Sequence, residues 1–275
     1  VDDGSCIFCN QVAPATETFN FTGGMQYYTV PAGVTELTIE AYGAQGGADG
    51  NDGGLGAYIS GEVPVNPGDI IDILVGGKGS DGNNGGSGGG GGTFVVLQNG
   101  NIPLVIAGGG GGGSYVGIGH DGEFGEGGGD GDNWPGSGGT AGYGGFDLDN
   151  SNGTPAGGGF YSDGECLDCW CGPLGVGQAY LNGGAGGSAG YFDGGYGGGA
   201  TGWANGSGGA AGGGYSGGGA QNHGNGNGGG GGSYNSGANQ IATAGMQSGN
   251  GLVLISYDGG AAECGCTDLT ADNYD

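Results

Sequence analysis

The sequence predicts an all-β fold, in which a frame of strands grips a large inserted bundle of glycine chains. Three observations predict it. Short alternating apolar runs bounded by Gly, Pro and Asn occupy the flanks, and glycine, 87 of 275 residues, gathers in the middle. No stretch carries the 3.6-residue apolar period of a helix.

The frame begins near residue 17. FNFTGG and MQYYTVPAG read as short strands, broken by Gly23-Gly24 and by Pro31-Ala32-Gly33. In VTELTIEAYG, Leu37, Ile39 and Ala41 share one face while Thr38 and Glu40 take the other, the alternation of a half-buried strand. Residues 57–65 and 69–75 follow as strands around Asn66-Pro67-Gly68, a strong turn signal. Residues 81–92 read as a first glycine loop. Strands at 93–97 and 103–107 make a hairpin about Asn99-Gly100. The last strand is LVLISY at 252–257, so the chain returns to the sheet that it left at Ala107. The expected division is therefore a cysteine-bearing lead-in (1–16), a β-frame (17–107), a glycine-rich insertion (108–250), a closing strand (251–258) and a C-terminal segment (259–275).

A tract this rich in glycine is ordinarily a flexible linker or disordered. Order is the alternative expected here. Chains without Cβ atoms can pack as polyproline-II-type helices on every side and exchange backbone hydrogen bonds, giving a polyglycine-II bundle. Fixing each residue costs about 1–2 kcal/mol. A hydrogen bond returns a net ~0.5–1.5 kcal/mol. Order therefore demands that nearly every N–H and C=O be paired, that aromatic rings pack at the non-glycine positions, and that a rigid frame hold both ends. Collagen is excluded, because the glycines come in runs and the chain has 8 prolines.

Charge narrows the function. Against 27 acidic residues stands one basic residue, Lys78, for a net charge of −26. Nucleic acid and anionic membrane are disfavoured as partners, and no apolar run is long enough to insert into a membrane as a helix. Seven cysteines in three groups (Cys6 and Cys9; Cys166, Cys169 and Cys171; Cys264 and Cys266) point to a secreted, disulfide-bonded protein with one thiol left over. Val1 suggests a processed chain or a piece of a longer one.

Catalysis is not expected. His120 and His223 are the neutral-pH bases, and glycine flanks scaffold a base poorly. GGKGS around Lys78 departs from the phosphate-loop pattern, with Gly79 where Ser or Thr must stand. The Cys166, Cys169, Cys171 group is one ligand short of a zinc site, and a disulfide plus a thiol is the simpler reading. Calcium is the expected cofactor. Its candidate ligands are Asp147 and Asp149, on alternate positions, and Asp2, Asp3, Asp268 and Asp272, brought together where the tails join. Solvated acidic surface is the ordinary reading of each cluster alone. Asn20, Asn152 and Asn205 head glycan-acceptor triplets. Trp134, Trp170, Trp203 and the 14 tyrosines are expected to fill gaps between glycine chains rather than to stack sugars.

Four segments, GGMQYYTVPAGVTELTIEAYGAQGG, GTFVVLQNGNIPLVIAGGGGGG, GGGATGWANGSGGAAGGGYSGGG and GGGGGSYNSGANQ…GNGLVLISY, follow one another in an order that resembles the glycine-rich domain of the anaplastic lymphoma kinase and leukocyte tyrosine kinase receptors. They equally resemble glycine-rich modules of bacterial surface proteins. The resemblance covers residues 17–258 and implies a β-sandwich carrying polyglycine-II helices. It implies no kinase activity, which lies in a separate domain. The tails, GCTDLTADNYD and VDDGSC, placed tail before head, resemble a GCTD…NYD…DDGSC module repeated in secreted proteins of the Bacteroidetes.

These readings converge on an extracellular structural protein, the repeating unit of a surface fibre or adhesin. Its partners are copies of itself, joined head to tail through Cys6 or Cys9 of one copy and Cys264 or Cys266 of the next, with a host surface or glycan as a further partner. The rival reading is a ligand-binding module, a receptor ectodomain or adhesin tip, presenting loops 146–154 and 160–172.

Overall fold

The computed structural model describes residues 8–10, 12–83, 85–132, 136–147, 153–167, 169, 172–189, 192–203, 208–221, 226–259 and 263–265. Among the described residues it is an all-β protein of mostly antiparallel sheets with two short 3-10 turns, at Gly172–Gly175 and Tyr180–Asn182. In chain order the strands are β1 (Phe8–Asn10), β2 (Ala15–Asn20), β3 (Gln26–Thr29), β4 (Glu36–Tyr42), β5 (Gly56–Pro64), β6 (Ile70–Leu74) and β7 (Gly86–Ser87). There follow β8 (Thr93–Leu97), β9 (Ile102–Ala107), β10 (Gly208–Gly209), β11 (Tyr234–Asn235), β12 (Ala238–Gln247), β13 (Leu252–Tyr257) and β14 (Glu263–Gly265).

Two five-stranded sheets carry the frame, ordered β12-β5-β4-β13-β2 and β11-β9-β8-β6-β3. The strand expected at 252–257 forms, but not in the sheet that the chain left at Ala107. That strand, β9, belongs to the second sheet, to which β11 returns, whereas β13 lies between β4 and β2 of the first. One apolar cluster draws on both sheets: Leu37, Ile39, Ile59, Val253 and Ile255 from the first, Ile71, Ile73, Val95 and Val105 from the second. In the first sheet the alternation of ELTIEAY survives as strict in-and-out burial. The second sheet is covered on both faces. Leu74, Phe94, Val96 and Ile106, on the face away from that cluster, belong to a second one with Phe160, Tyr180 and Tyr215 of the glycine-rich region. This is why IIDIL, TFVVL and LVIA read as near-continuous apolar runs.

The glycine-rich insertion is shorter than expected. The chain rejoins the second sheet at β11 and the first at β12, a ten-residue strand lying wholly within 108–250. Conversely, residues 81–92 are no simple loop, since Gly88–Gly92 are buried in the glycine network described below.

The two ends of the frame differ. Tyr42 pairs with Tyr58 and Leu252, and Leu74 pairs with Phe94. At this end Thr93 Oγ1 donates to the Tyr42 carbonyl and the Gly251 N–H donates to Gly76, joining the two sheets. Glycine segments leave from here after β4, β6 and β9 and return here before β5 and β8. At the other end of the first sheet Ala15 pairs with Tyr257, so the incoming and outgoing strands lie side by side. Beyond them β1 pairs with β14, which sets Cys9 opposite Cys264 within one chain.

Candidate functional site

The glycine network is the feature that distinguishes this molecule, and its hydrogen bonds repeat every three residues. Along 108–113, Gly109 and Gly112 donate to Gly213 and Ala210, at 2.8 Å each, while Gly110 and Gly113 donate to Ala44 and Gly47, at 2.9 Å each. The third set, Gly108 and Gly111, donates to Ser233 Oγ and to the His120 carbonyl. Successive N–H groups thus point to three different neighbours, one running antiparallel (213 to 210) and one parallel (44 to 47). Residues 88–92 repeat the pattern: Gly88 and Gly91 donate to Ser80 and Gly77, Gly89 and Gly92 to Ala200 and Gly197, and Gly90 to Gly110. So do residues 209–213, with Ala210 and Gly213 bonded to Ser87 and Gly90, and Gly209 and Gly212 to Gly226 and Gly229.

Such spacing is possible only without side chains. A β-carbon on Gly110 would run into the Gly54 carbonyl, and one on Gly89 into the Ala211 carbonyl. Where the network does admit methyl groups, at Ala200, Ala210 and Ala211, they form a small fully buried cluster of their own.

Aromatic rings fasten this network to the second sheet. Phe94 of β8 stacks on Tyr180 at 5.2 Å, Tyr180 on Phe160 at 5.0 Å and 9°, and Phe160 meets Tyr215 at 6.3 Å. Tyr215 then contacts Tyr234 of β11 at 4.6 Å. The ring series thus leaves the sheet at one strand and returns to it at another. Beneath it lies the buried Asp72, which accepts 2.9 Å and 3.5 Å hydrogen bonds from Gln98 Nε2 and Tyr180 Oη. Burial, reinforced by the Asp72 charge, pushes the Tyr180 phenol well above its ordinary pKa.

The carboxylates have a use that the sequence did not reveal. Where glycine segments turn, an aspartate accepts from a backbone N–H of another segment. Asp49 caps Gly85 (2.5 Å), Asp81 caps Ala48 (2.9 Å), Asp121 caps Leu55 (2.7 Å) and Asp130 caps Gly138 (2.9 Å). Asp132 caps Asn227 (3.1 Å) and Asp163 caps Ala179 (2.7 Å). With one cation in the chain, backbone dipoles take over much of the role of counter-charge. Lys78 itself bonds Asp81 at 2.6 Å. Burial pushes the Asp81 carboxyl up, but the bonds from Lys78 and Ala48 outweigh it and hold the group below its usual range.

Of the expected calcium ligands, Asp147 alone lies among the described residues; Asp2, Asp3, Asp149, Asp268 and Asp272 lie outside them. Asp147 is 1% exposed. Its Oδ2 accepts from the Leu167 N–H at 2.9 Å, and its Oδ1 is buried without a hydrogen-bond partner among the described residues. Among the described residues no group of three or more His, Cys, Asp or Glu side chains is placed to hold a metal. Cys166 and Cys169 form a disulfide. Cys6, Cys171 and Cys266 lie outside the described residues, and Cys9 and Cys264 are placed by their backbones alone. His120 bonds Asp132 through Nε2 at 2.9 Å, and His223 lies outside the described residues. Trp203 is described, whereas Trp134 and Trp170 are not.

A groove of about 370 Å³ opens between the edges β2 and β3, lined in part by Glu17, Tyr28 and Tyr257. Burial, then the neighbouring Tyr257 and Glu17, raises the Tyr28 phenol to about 12. Neither models of known protein families nor curated proteins show a match to this chain.

Proposed function

We propose that this protein is an extracellular structural unit, repeated along a surface fibre or adhesin and joined to its neighbours through its terminal cysteine- and aspartate-bearing segments. In this reading the two sheets form a sandwich frame of the kind found in the glycine-rich receptor and surface-protein domains that the sequence resembles. The glycine segments form a polyglycine-II bundle, in which a three-residue turn sends each N–H to a different neighbour. The observation that carries the reading is the division of labour between the two ends of the frame. Terminal strands leave together at one end, and glycine segments leave from the other. A linker built from the terminal segments then forms a stalk, and each unit holds its glycine bundle out from that stalk.

Joining occurs when β1 and β14, which pair here within one chain, exchange partners between copies, with Cys6 or Cys9 bonding Cys264 or Cys266. A head-to-tail contact of this kind does not close on itself and yields an open filament. The reading assigns the unit no enzymatic role. Calcium, bound through Asp147 and Asp149 and through the tail aspartates, screens the acidic loops and gives Asp147 Oδ1 a partner.

Under oxidising conditions the isolated unit is expected to form oligomers that reductant dissolves, and calcium is expected to raise the melting temperature of the wild type more than that of Asp147→Asn. Monomer alone on a non-reducing gel would overturn the joining. An equal calcium response in both proteins would remove Asp147 from the site.

The ligand-binding reading has one observation in its favour. The turn at 114–117 carries Tyr115, Val116 and, just beyond it, Ile118, exposed by 55%, 62% and 66%. Asn51 and Asn227 hold that turn through the Ser114 and Ile118 carbonyls, at 2.8 and 3.1 Å. Rigidly held, exposed apolar side chains suit recognition of another surface.

A further inference from the structure

The two sheets have four outer strands, and three of them are poorly suited to pairing with another chain. β3 and β11 are four and two residues long, and β2 carries the charge of Glu17 on its exposed ATETFN. β12 is different. It runs ten residues, ANQIATAGMQ, with no charged side chain, in a chain of net charge −26. On one side it pairs with β5. Among the described residues no backbone group of β12 hydrogen-bonds outside that pairing. Ile241 and Met246 stand 56% and 54% exposed, and Phe124, itself 62% exposed, flanks a groove of about 130 Å³ that Ala242 also lines.

Edge strands are usually blunted by charge, proline or shortness, since unpaired N–H and C=O groups template further strands. β12 carries neither charge nor proline and is long, and its protection is bulging alone. It has two irregularities, between Ala238 and Ile241 and between Thr243 and Gln247, with Asn239 and Gly245 at φ 47° and 61°. They bend the strand ends and leave Ile241–Thr243 as the regular stretch.

We propose that β12 is a pairing edge, and that its occupant is the β12 of a second copy, added antiparallel about a two-fold axis near Ala242. Strand direction and charge select that occupant. The first sheet is antiparallel throughout, so its outer strands β12 and β2 run the same way, and a β12-to-β2 contact between copies related by translation would be parallel. Pairing β12 with itself gives the antiparallel ladder, the more stable per residue, in a closed self-complementary contact. Neither strand brings a charged side chain of its own to the contact, and the carboxylates beside it, Glu62 bonded to Asn239 and Glu126 in the groove that Ala242 lines, are the ones whose repulsion salt would screen. The contact is sideways to the head-to-tail joint and uses no cysteine. It stands whether or not that joint forms, and in a fibre it would hold neighbouring filaments together.

The test is sedimentation velocity on the full chain in reductant, from low micromolar to millimolar protein, at low and high salt. A monomer–dimer equilibrium is expected that strengthens with salt, because screening relieves the mutual repulsion of the two chains. Ile241→Asp places like charges near the two-fold axis and is expected to weaken association roughly tenfold or more. Thr18→Asp on the exposed β2 serves as the control and leaves association unchanged. Circular dichroism checks that both variants fold. Monomer throughout the concentration and salt series, an unchanged dimer in Ile241→Asp, or an equal loss in Thr18→Asp would each overturn the proposal. Loss of disulfide-linked oligomers in the same reductant bears on the terminal joint alone.

Discussion

Adding a single methyl group to Gly110 is the sharpest probe of the glycine network. Gly110 sits in the middle of the 108–113 segment, donating to Ala44 and accepting from Gly90. A β-carbon there would strike the Gly54 carbonyl and come within 3.0 Å of the Leu55 carbonyl. Residues 54 and 55 must move to admit it. They hold four bonds: Gly54 N–H to Gly111 at 2.9 Å, Gly46 N–H to the Gly54 carbonyl at 3.0 Å, Leu55 N–H to Asp121 Oδ1 at 2.7 Å, and Gly122 N–H to the Leu55 carbonyl at 2.8 Å. Overpacking costs about 1–3 kcal/mol, and each buried group left without a partner adds about 1–3 kcal/mol. With one or two of the four bonds lost, Gly110→Ala should destabilise the protein by roughly 3–6 kcal/mol, a large share of an ordinary domain's stability. Gly125→Ala is the matched control. Gly125 lies in the same region, is exposed, has no positive φ and has nothing within 4 Å of its would-be β-carbon. Restricting the unfolded chain there should leave stability level, or raise it by about 0.4–1 kcal/mol. Urea unfolding monitored by circular dichroism measures both, and amide exchange at Gly46, Gly54 and Gly122 reports the local damage. If Gly110→Ala unfolds within about 1 kcal/mol of Gly125→Ala, the contacts that fix the network are not as close as described.

Two further outcomes follow from the rings and phenols. Phe160→Ala removes the centre of the series from Phe94 to Tyr234. It should cost about 3–5 kcal/mol, collapse the near-ultraviolet dichroism, and expose the 153–221 region to protease before the sheets; simultaneous cleavage of both would count against ring anchoring. Alkali should destabilise the fold. Burial, then Glu40, raises Tyr42 to about 12, as burial and its neighbours raise Tyr28. Their stabilising contribution is complete below the unfolded phenol pKa of about 10 and is lost as pH climbs from there toward 12. The urea midpoint should therefore fall over that interval while the tyrosinate absorbance of the native protein lags behind that of the denatured protein. Coincident titration curves would show those phenols to be solvated.

Much of the frame was legible because its signals are local. Leu37, Ile39 and Ala41 alternate, Asn66-Pro67-Gly68 turns the chain, and LVLISY forms a strand, although it joins the first sheet rather than the one left at Ala107, a choice that no local pattern records. β12 was not legible. Ala, Gly, Asn and Gln dominate ANQIATAGMQ, and a strand exposed along most of its length has no buried face to impose an alternating pattern. The unbroken apolar character of TFVVL and LVIA was the available sign that the second sheet is covered twice, a sign that length and flanking turns do not convey. The aspartate caps lay beyond any local pattern. Asp132 bonds Asn227 across 95 residues and Asp121 bonds Leu55 across 66, so nothing near either carboxylate marks its donor. The same distance hid the role of the glycines before Ala107. Gly43–Gly47 and Gly88–Gly92 look like loop tips until the third neighbour of each chain is known.

The side-by-side pairing of β2 with β13 decides how the molecule would respond to tension. A pull on the segments before Ala15 and after Tyr257 loads that ladder from its open end, so its rungs yield one after another, as in a zipper, and never share the load. The glycine network lies outside the line of that force. A tug strong enough to part the two strands would therefore lengthen the tether first and leave the network intact, ready to re-zip when the strain is released.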